Sequence, residues 1–213
     1  NFFRYIFWKV FSNKIYKVTC PTSSTYNYII KKNLFKKEKL EILSDPIINM
    51  AEYRVKKREL FNDERLKNKK YLIGIGRLTK QKNFGLLINF FKKISDLYPN
   101  LNLAIIGEGE KETELKQLSA KFKDNQRVHF VGYQNNVFKY LLNAECFILS
   151  SLWEDPGFVL VEAALANLPI ISSKCPNGPE EIVRDNGYLF ENNDLNDLSI
   201  KFGDFLKTNK QEI

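Results

Sequence analysis

Two carboxylates, Glu154 and Glu162, stand eight positions apart around the turn Asp155-Pro156-Gly157. Glu154 precedes the turn. Glu162 falls in the apolar run from Phe158 to Ala164, which reads as a helix. Gly157 permits close backbone approach. The first N–H groups of a helix lack internal acceptors, and with the helix dipole they form an anion site suited to phosphate. Glu162 lies five residues past Gly157, which is about 7.5 Å along a helix axis. That offset suits a ribose attached to a phosphate held at the helix start, because a carboxylate accepts from both ribose hydroxyls. Glu154, on the other side of the phosphate, would meet a second sugar. The layout is one for gripping a nucleotide-sugar. A structural role stays open for Glu162, which sits among Val161, Ala163 and Ala164 and would be costly there without a partner.

Further candidates follow other strand-like runs. Gly74-Ile-Gly76-Arg77 resembles the start of a dinucleotide fingerprint, but Thr79 occupies the third glycine position. Arg77 and Lys82 are better read as cations at the mouth of the site, able to neutralise a diphosphate leaving group. Two surface cations at a strand end is the competing reading. The backbone after Val131, through Gly132 and Tyr133, could read a base edge. His129, the sole histidine, falls mid-strand and is expected to be a satisfied sheet residue. Gly107-Glu108-Gly109 has acidic neighbours that argue against a phosphate role.

The elements that must hold these residues alternate from residue 71 onward. Strands are predicted at 71–75, 101–106, 127–131, 145–150, 168–172 and 187–190. Helices are predicted at 84–98 (capped by Asn83), 110–122, 135–143, 157–166, 179–184 and 194–207. Such alternation implies a Rossmann-like, doubly wound parallel α/β sheet with ligands at the carboxyl ends of the strands. The first 45 residues, with a strand at 14–21, a helix at 24–33 and a strand at 39–43, are expected to be the tail of an upstream domain. Pro46 marks a boundary. Residues 46–70 read as a connector, 71–193 as the nucleotide-sugar domain and 194–213 as a closing helix. The start at Asn1 and the single Met50 lead to the expectation of a fragment.

The net charge of +8 is uneven. Residues 1–70 carry 17 Lys+Arg and 7 Asp+Glu (17 − 7 = +10), and residues 71–213 carry 16 and 18 (16 − 18 = −2). Either an anionic membrane partner or solvated helix faces accounts for this bias. No aromatic-interleaved basic motif supports nucleic acid. Cys20, Cys146 and Cys175 show neither metal-ligand spacing nor a disulfide framework, and fit a reducing cytosol. No apolar run is long enough to span a bilayer. The aromatic and basic stretch Asn1–Phe11 lacks a cleavage site; it reads as a core helix or as one lying on a membrane surface.

Taken in order, Gly76-Arg77-Leu78, Lys82, Val131-Gly132, the Glu154–Glu162 block and Gly178-Pro179-Glu180-Glu181-Ile182 resemble the retaining GT-B glycosyltransferases of the Glu-x7-Glu type, family 4. The resemblance spans residues 15–205. It implies the C-terminal donor-binding half of a GT-B fold. Arg77 and Lys82 would bind the diphosphate. The amides of Gly157, Phe158 and Val159 would face phosphate and sugar, Glu154 the transferred sugar, Glu162 the ribose, and backbone at Val131, Gly132 and Tyr133 the base. No metal or cofactor is implied, because cations and amides neutralise the leaving group. The donor would be a nucleotide-diphosphate-sugar, with UDP favoured. The acceptor would be a glycan or polyprenyl-linked sugar at the inner face of the membrane, in bacterial surface polysaccharide or lipopolysaccharide synthesis. The acceptor pocket of such enzymes has no counterpart here beyond its last elements, so the 213 residues are expected not to turn over alone. A binding module without transfer activity is the alternative. A nicotinamide-dependent dehydrogenase is disfavoured by Thr79 at the third glycine position.

Overall fold

The computed structural model describes residues 2–45 and 48–209. Pro46, the expected boundary, lies outside them, as do the last four residues of the chain. Two parallel sheets are present among the described residues. The small one pairs β1 (Val18–Cys20) with β2 (Leu40–Ile42) around α2 (Ser23–Lys31), after an N-terminal helix α1 (Phe2–Phe11). The large one has six strands: β3 (Lys70–Ile75), β4 (Leu101–Ile106), β5 (Val128–Gly132), β6 (Cys146–Leu149), β7 (Ile170–Ser173) and β8 (Tyr188–Phe190). Its spatial order is β5-β4-β3-β6-β7-β8, with every neighbouring pair parallel.

The central strands β3, β4 and β6 are apolar and buried along nearly their whole length, as a sheet covered on both faces requires. One face packs against α4 (Phe84–Ser95), α5 (Glu112–Ala120) and α9 (Leu195–Asn209) through Leu87, Phe91, Leu198 and Phe205. The other packs against α6 (Phe138–Leu141), α7 (Phe158–Leu165) and α8 (Pro179–Val183) through Tyr140, Leu160, Ala163 and Val183. The closing helix is therefore part of the main core.

Some expectations of local structure are corrected. The helix from Phe84 stops at Ser95, and the one expected over 135–143 is only Phe138–Leu141. Asn83 does not cap α4 with its side chain. It sits in the left-handed region at φ 49°, and its side-chain amide donates to Asn193 Oδ1 at 2.9 Å. Within the connector, α3 (Met50–Lys56) forms, capped by Asn49 Oδ1 accepting from Ala51 N and Glu52 N. That helix is pinned to the main sheet's second face. Tyr53 donates to Leu165 O at 2.7 Å and packs on Phe138, while Leu66 is fully buried.

Candidate functional site

The strand order reverses at β3. The chain steps outward from β3 to β4 and β5, then returns to lay β6 on the other side of β3. The loops leaving β3 and β6 therefore lie side by side at the carboxyl edge, where open α/β sheets bind ligands. The β3 loop carries Gly76, Arg77 and Lys82, and the β6 loop carries Glu154 and Gly157. Several bonds stitch the two together. Leu152 N donates to Gln81 O at 2.8 Å, Gln81 Nε2 to Trp153 O at 2.9 Å and Ser150 Oγ to Lys82 O at 2.9 Å.

These residues line one open cleft of about 580 Å³, bounded by Gly76, Arg77, Lys82, Glu154, Gly157, Phe158 and Val159, with Trp153, Asp155 and Asn177. Arg77 is exposed at its mouth. Gly157 adopts φ 93°, and no side chain caps α7. The first amides of α7 are thereby left to whatever occupies the cleft.

Sequence reasoning assigned Lys82 and Glu154 separate ligands. The fold joins them. Lys82 Nζ lies 2.6 and 2.9 Å from the two Glu154 oxygens, and Ser151 Oγ donates to Glu154 Oε1. Glu154 is 3% exposed, so its charge depends on these partners. An ammonium has three donors. Two of them can serve Glu154.

Glu162 and Val131-Gly132-Tyr133 do not line this cleft. Glu162 is half-buried on α7, and burial pushes its carboxyl above the ordinary value while the Lys56 ammonium on α3 pulls it back. Gly132 ends the edge strand β5, and the Tyr133 amide donates to Glu108 Oε1 at 3.3 Å. The Gly107-Glu108-Gly109 loop has a structural task, because Leu78 N donates to Glu108 O and Lys111 N to Leu78 O, locking it to the β3 loop. His129 is satisfied by Asn102 Oδ1 at 3.0 Å. The three cysteines are free and buried.

Asn177 and Gly178 were missed as site residues. Gly178, at φ 126°, packs so closely on the cleft loop that an added Cβ would lie 2.2 Å from Pro156 O. Its signal in the sequence was the Gly-Pro start of α8. Gly178→Ala is expected to cost at least about 2 kcal/mol through strain and clash. A urea midpoint equal to wild type would show that the loop relaxes freely.

The model of the family described as Glycosyl transferases group 1 matches residues 56–212. An uncharacterized glycosyltransferase of Methanocaldococcus jannaschii is 38% identical over 154 residues, covering 72% of this chain and 36% of the relative. The amylovoran biosynthesis glycosyltransferase AmsD of Erwinia amylovora is 31% identical over 137 residues, covering 63% of this chain and 38% of the relative. The chain thus spans well under half the length of these two relatives. The pneumococcal O-GlcNAc transferase GtfA, solved in complex with UDP and GlcNAc, superposes with a TM-score of 0.78 at 19% identity, over 100% of this chain and 42% of that one. At that identity the likeness establishes a shared GT-B-type fold.

Proposed function

Because the chain belongs to the glycosyl transferases group 1 family, we propose that it forms the donor side of a retaining, Glu-x7-Glu, family 4 glycosyltransferase that takes a UDP-sugar. The observation that carries this reading is the shared cleft. Two cations, the uncapped first amides of α7 and a buried carboxylate lie together where β3 and β6 end. Arg77, Lys82 and the α7 amides would neutralise the diphosphate as the glycosyl bond breaks, which is the task a metal performs elsewhere. Glu154, held by Lys82 and Ser151, would orient the sugar ring. Glu162 would accept from the ribose and the backbone at Val131–Tyr133 would take the base. Here Glu154 is a positioner and the two glutamates are not a glycosidase pair.

The acceptor in this reading is a glycan or polyprenyl-linked sugar of a surface polysaccharide, as the relative named for amylovoran biosynthesis supports. Peripheral contact with an anionic membrane is the accompanying proposal. It draws on the exposed Phe2, Phe3 and Phe7 of α1 and on the basic first 70 residues. Among the described residues no helix is long and apolar enough to cross a membrane.

Calorimetric titration of the chain with UDP, UDP-sugars and uridine tests the core of the proposal. Arg77→Ala is expected to weaken UDP by about 1–3 kcal/mol, the scale of a lost charged hydrogen bond, and to leave uridine unchanged. Equal losses for both would remove Arg77 from the phosphate site, and no binding of any nucleotide would end the reading.

A further inference from the structure

We propose that Glu181 is a positioning residue that fixes the acceptor-side segment, residues 2–45, against the donor cleft. The proposal deepens the reading above and rests on it for its functional meaning. α2 needs acceptors for its first amides. Thr22, buried at the N-cap, accepts from Thr25 N at 3.1 Å. The amides of Ser23 and Ser24 go elsewhere. They donate to Glu181 Oε2 and Oε1 at 3.0 and 2.9 Å, across 158 and 157 positions of chain. Ser24 Oγ adds a bond to Asn177 Oδ1 at 3.3 Å. One carboxylate gripping two consecutive amides sets orientation as well as distance, and its charge lies favourably at the positive end of the α2 dipole.

The other end of this tie is the cleft itself. Glu181 rides on α8, whose first turn is wedged by Gly178 against Pro156 of the cleft loop. Glu154 N donates to Pro176 O at 3.0 Å, and Asn177 both bonds Ser24 and lines the cleft. The turn 176–181 therefore grips the donor-side carboxylate loop with one end and α2 with the other. Among the described residues, the three bonds from Ser23 and Ser24 are the hydrogen bonds that join residues 2–45 to the main domain. Two of those three bonds end on Glu181 and the third on Asn177, and Glu181 itself does not line the cleft.

The test places spin labels at two exposed positions, Tyr28→Cys on α2 and Ile200→Cys on α9, with the three buried native cysteines left in place. Glu181→Ala, Glu181→Gln and Ser24→Ala are compared in that background. A narrow label–label distance is expected for the parent and for Ser24→Ala, which keeps both amide bonds. Glu181→Ala should broaden it, and should speed exchange of the Ser23 and Ser24 amides by about tenfold or more while β3 and β6 amides hold. Glu181→Gln, which retains the side-chain shape and one acceptor oxygen, should fall between and decides the matter if the alanine variant does not fold. An unchanged distance and unchanged amide exchange in Glu181→Gln and Glu181→Ala would overturn the proposal. UDP affinity, expected to stay within about twofold in all three variants, is read separately. Its absence in the parent protein would sink the nucleotide-sugar reading without touching the distance result, whereas its loss only in the Glu181 variants would make Glu181 a ligand contact and overturn the positioning role.

Discussion

Lys82→Ala is expected to lower unfolding free energy by about 3–5 kcal/mol, the cost of stripping a buried carboxylate of its counter-ion. Glu154 is left in a site where Ser151 supplies a single hydroxyl and, among the described residues, no other cation is bonded to it. The asymmetry of the pair sharpens the expectation. The Lys82 side chain is 15% exposed against 4% for Glu154, so Glu154→Gln, which frees the better-hydrated partner, should cost less than Lys82→Ala. The double variant Lys82→Ala/Glu154→Gln should recover most of the loss, because replacing both members removes the orphaned charge. Urea unfolding of the four proteins reads the coupling directly. A Lys82→Ala midpoint within experimental scatter of wild type would mean that water reaches Glu154 and that the pair is not buried in solution. The same substitution should also weaken UDP, so binding must be measured where the variant is still folded.

Glu162→Gln should separate stability from binding. Burial raises the folded-state carboxyl above its ordinary value of 4.5, with Lys56 opposing. The unfolded chain then gives up its proton first as pH rises. Stability contributed by this residue is full below the ordinary carboxylate range and drains away as pH climbs through the raised folded value. Glutamine has no such drain. The variant should therefore melt above wild type at pH 7, and the difference should shrink as the pH falls below about 4, where both proteins carry a neutral group. Lys56→Gln should move wild type the opposite way at pH 7. Nucleotide affinity should fall by about 1–3 kcal/mol in Glu162→Gln if the ionised carboxylate accepts from the ribose. A more stable protein with wild-type UDP affinity would make Glu162 a structural residue, and a less stable one would contradict the burial argument.

Much of this is legible in the amino-acid sequence. The runs Leu103–Ile106 and Cys146–Leu149 are short continuous apolar stretches, and they lie in central buried strands. Periodicity in Phe84–Ile94 identified the face of α4 that the core covers. The α3 signal was also present and overlooked: Asn49 followed three residues later by Glu52 is a helix start in the capping-box pattern. Asn83 misled because a capping residue type was read without its backbone, and at φ 49° its side chain is aimed away from the helix amides.

Residue type and local spacing determined which groups bear charge, where the chain turns, and which runs become strands and helices, since those depend on side-chain volume, backbone sterics and period. They also picked out the glycine turn at 157 and the carboxylates on either side of it. Tertiary structure alone decided who meets whom. β6 could have paired elsewhere. Once it lay beside β3, Lys82 came to Glu154 across 72 positions and Glu181 to Ser23 across 158. Such pairings follow from strand order and from the burial that makes an unpartnered charge costly, and no local window of sequence carries either quantity.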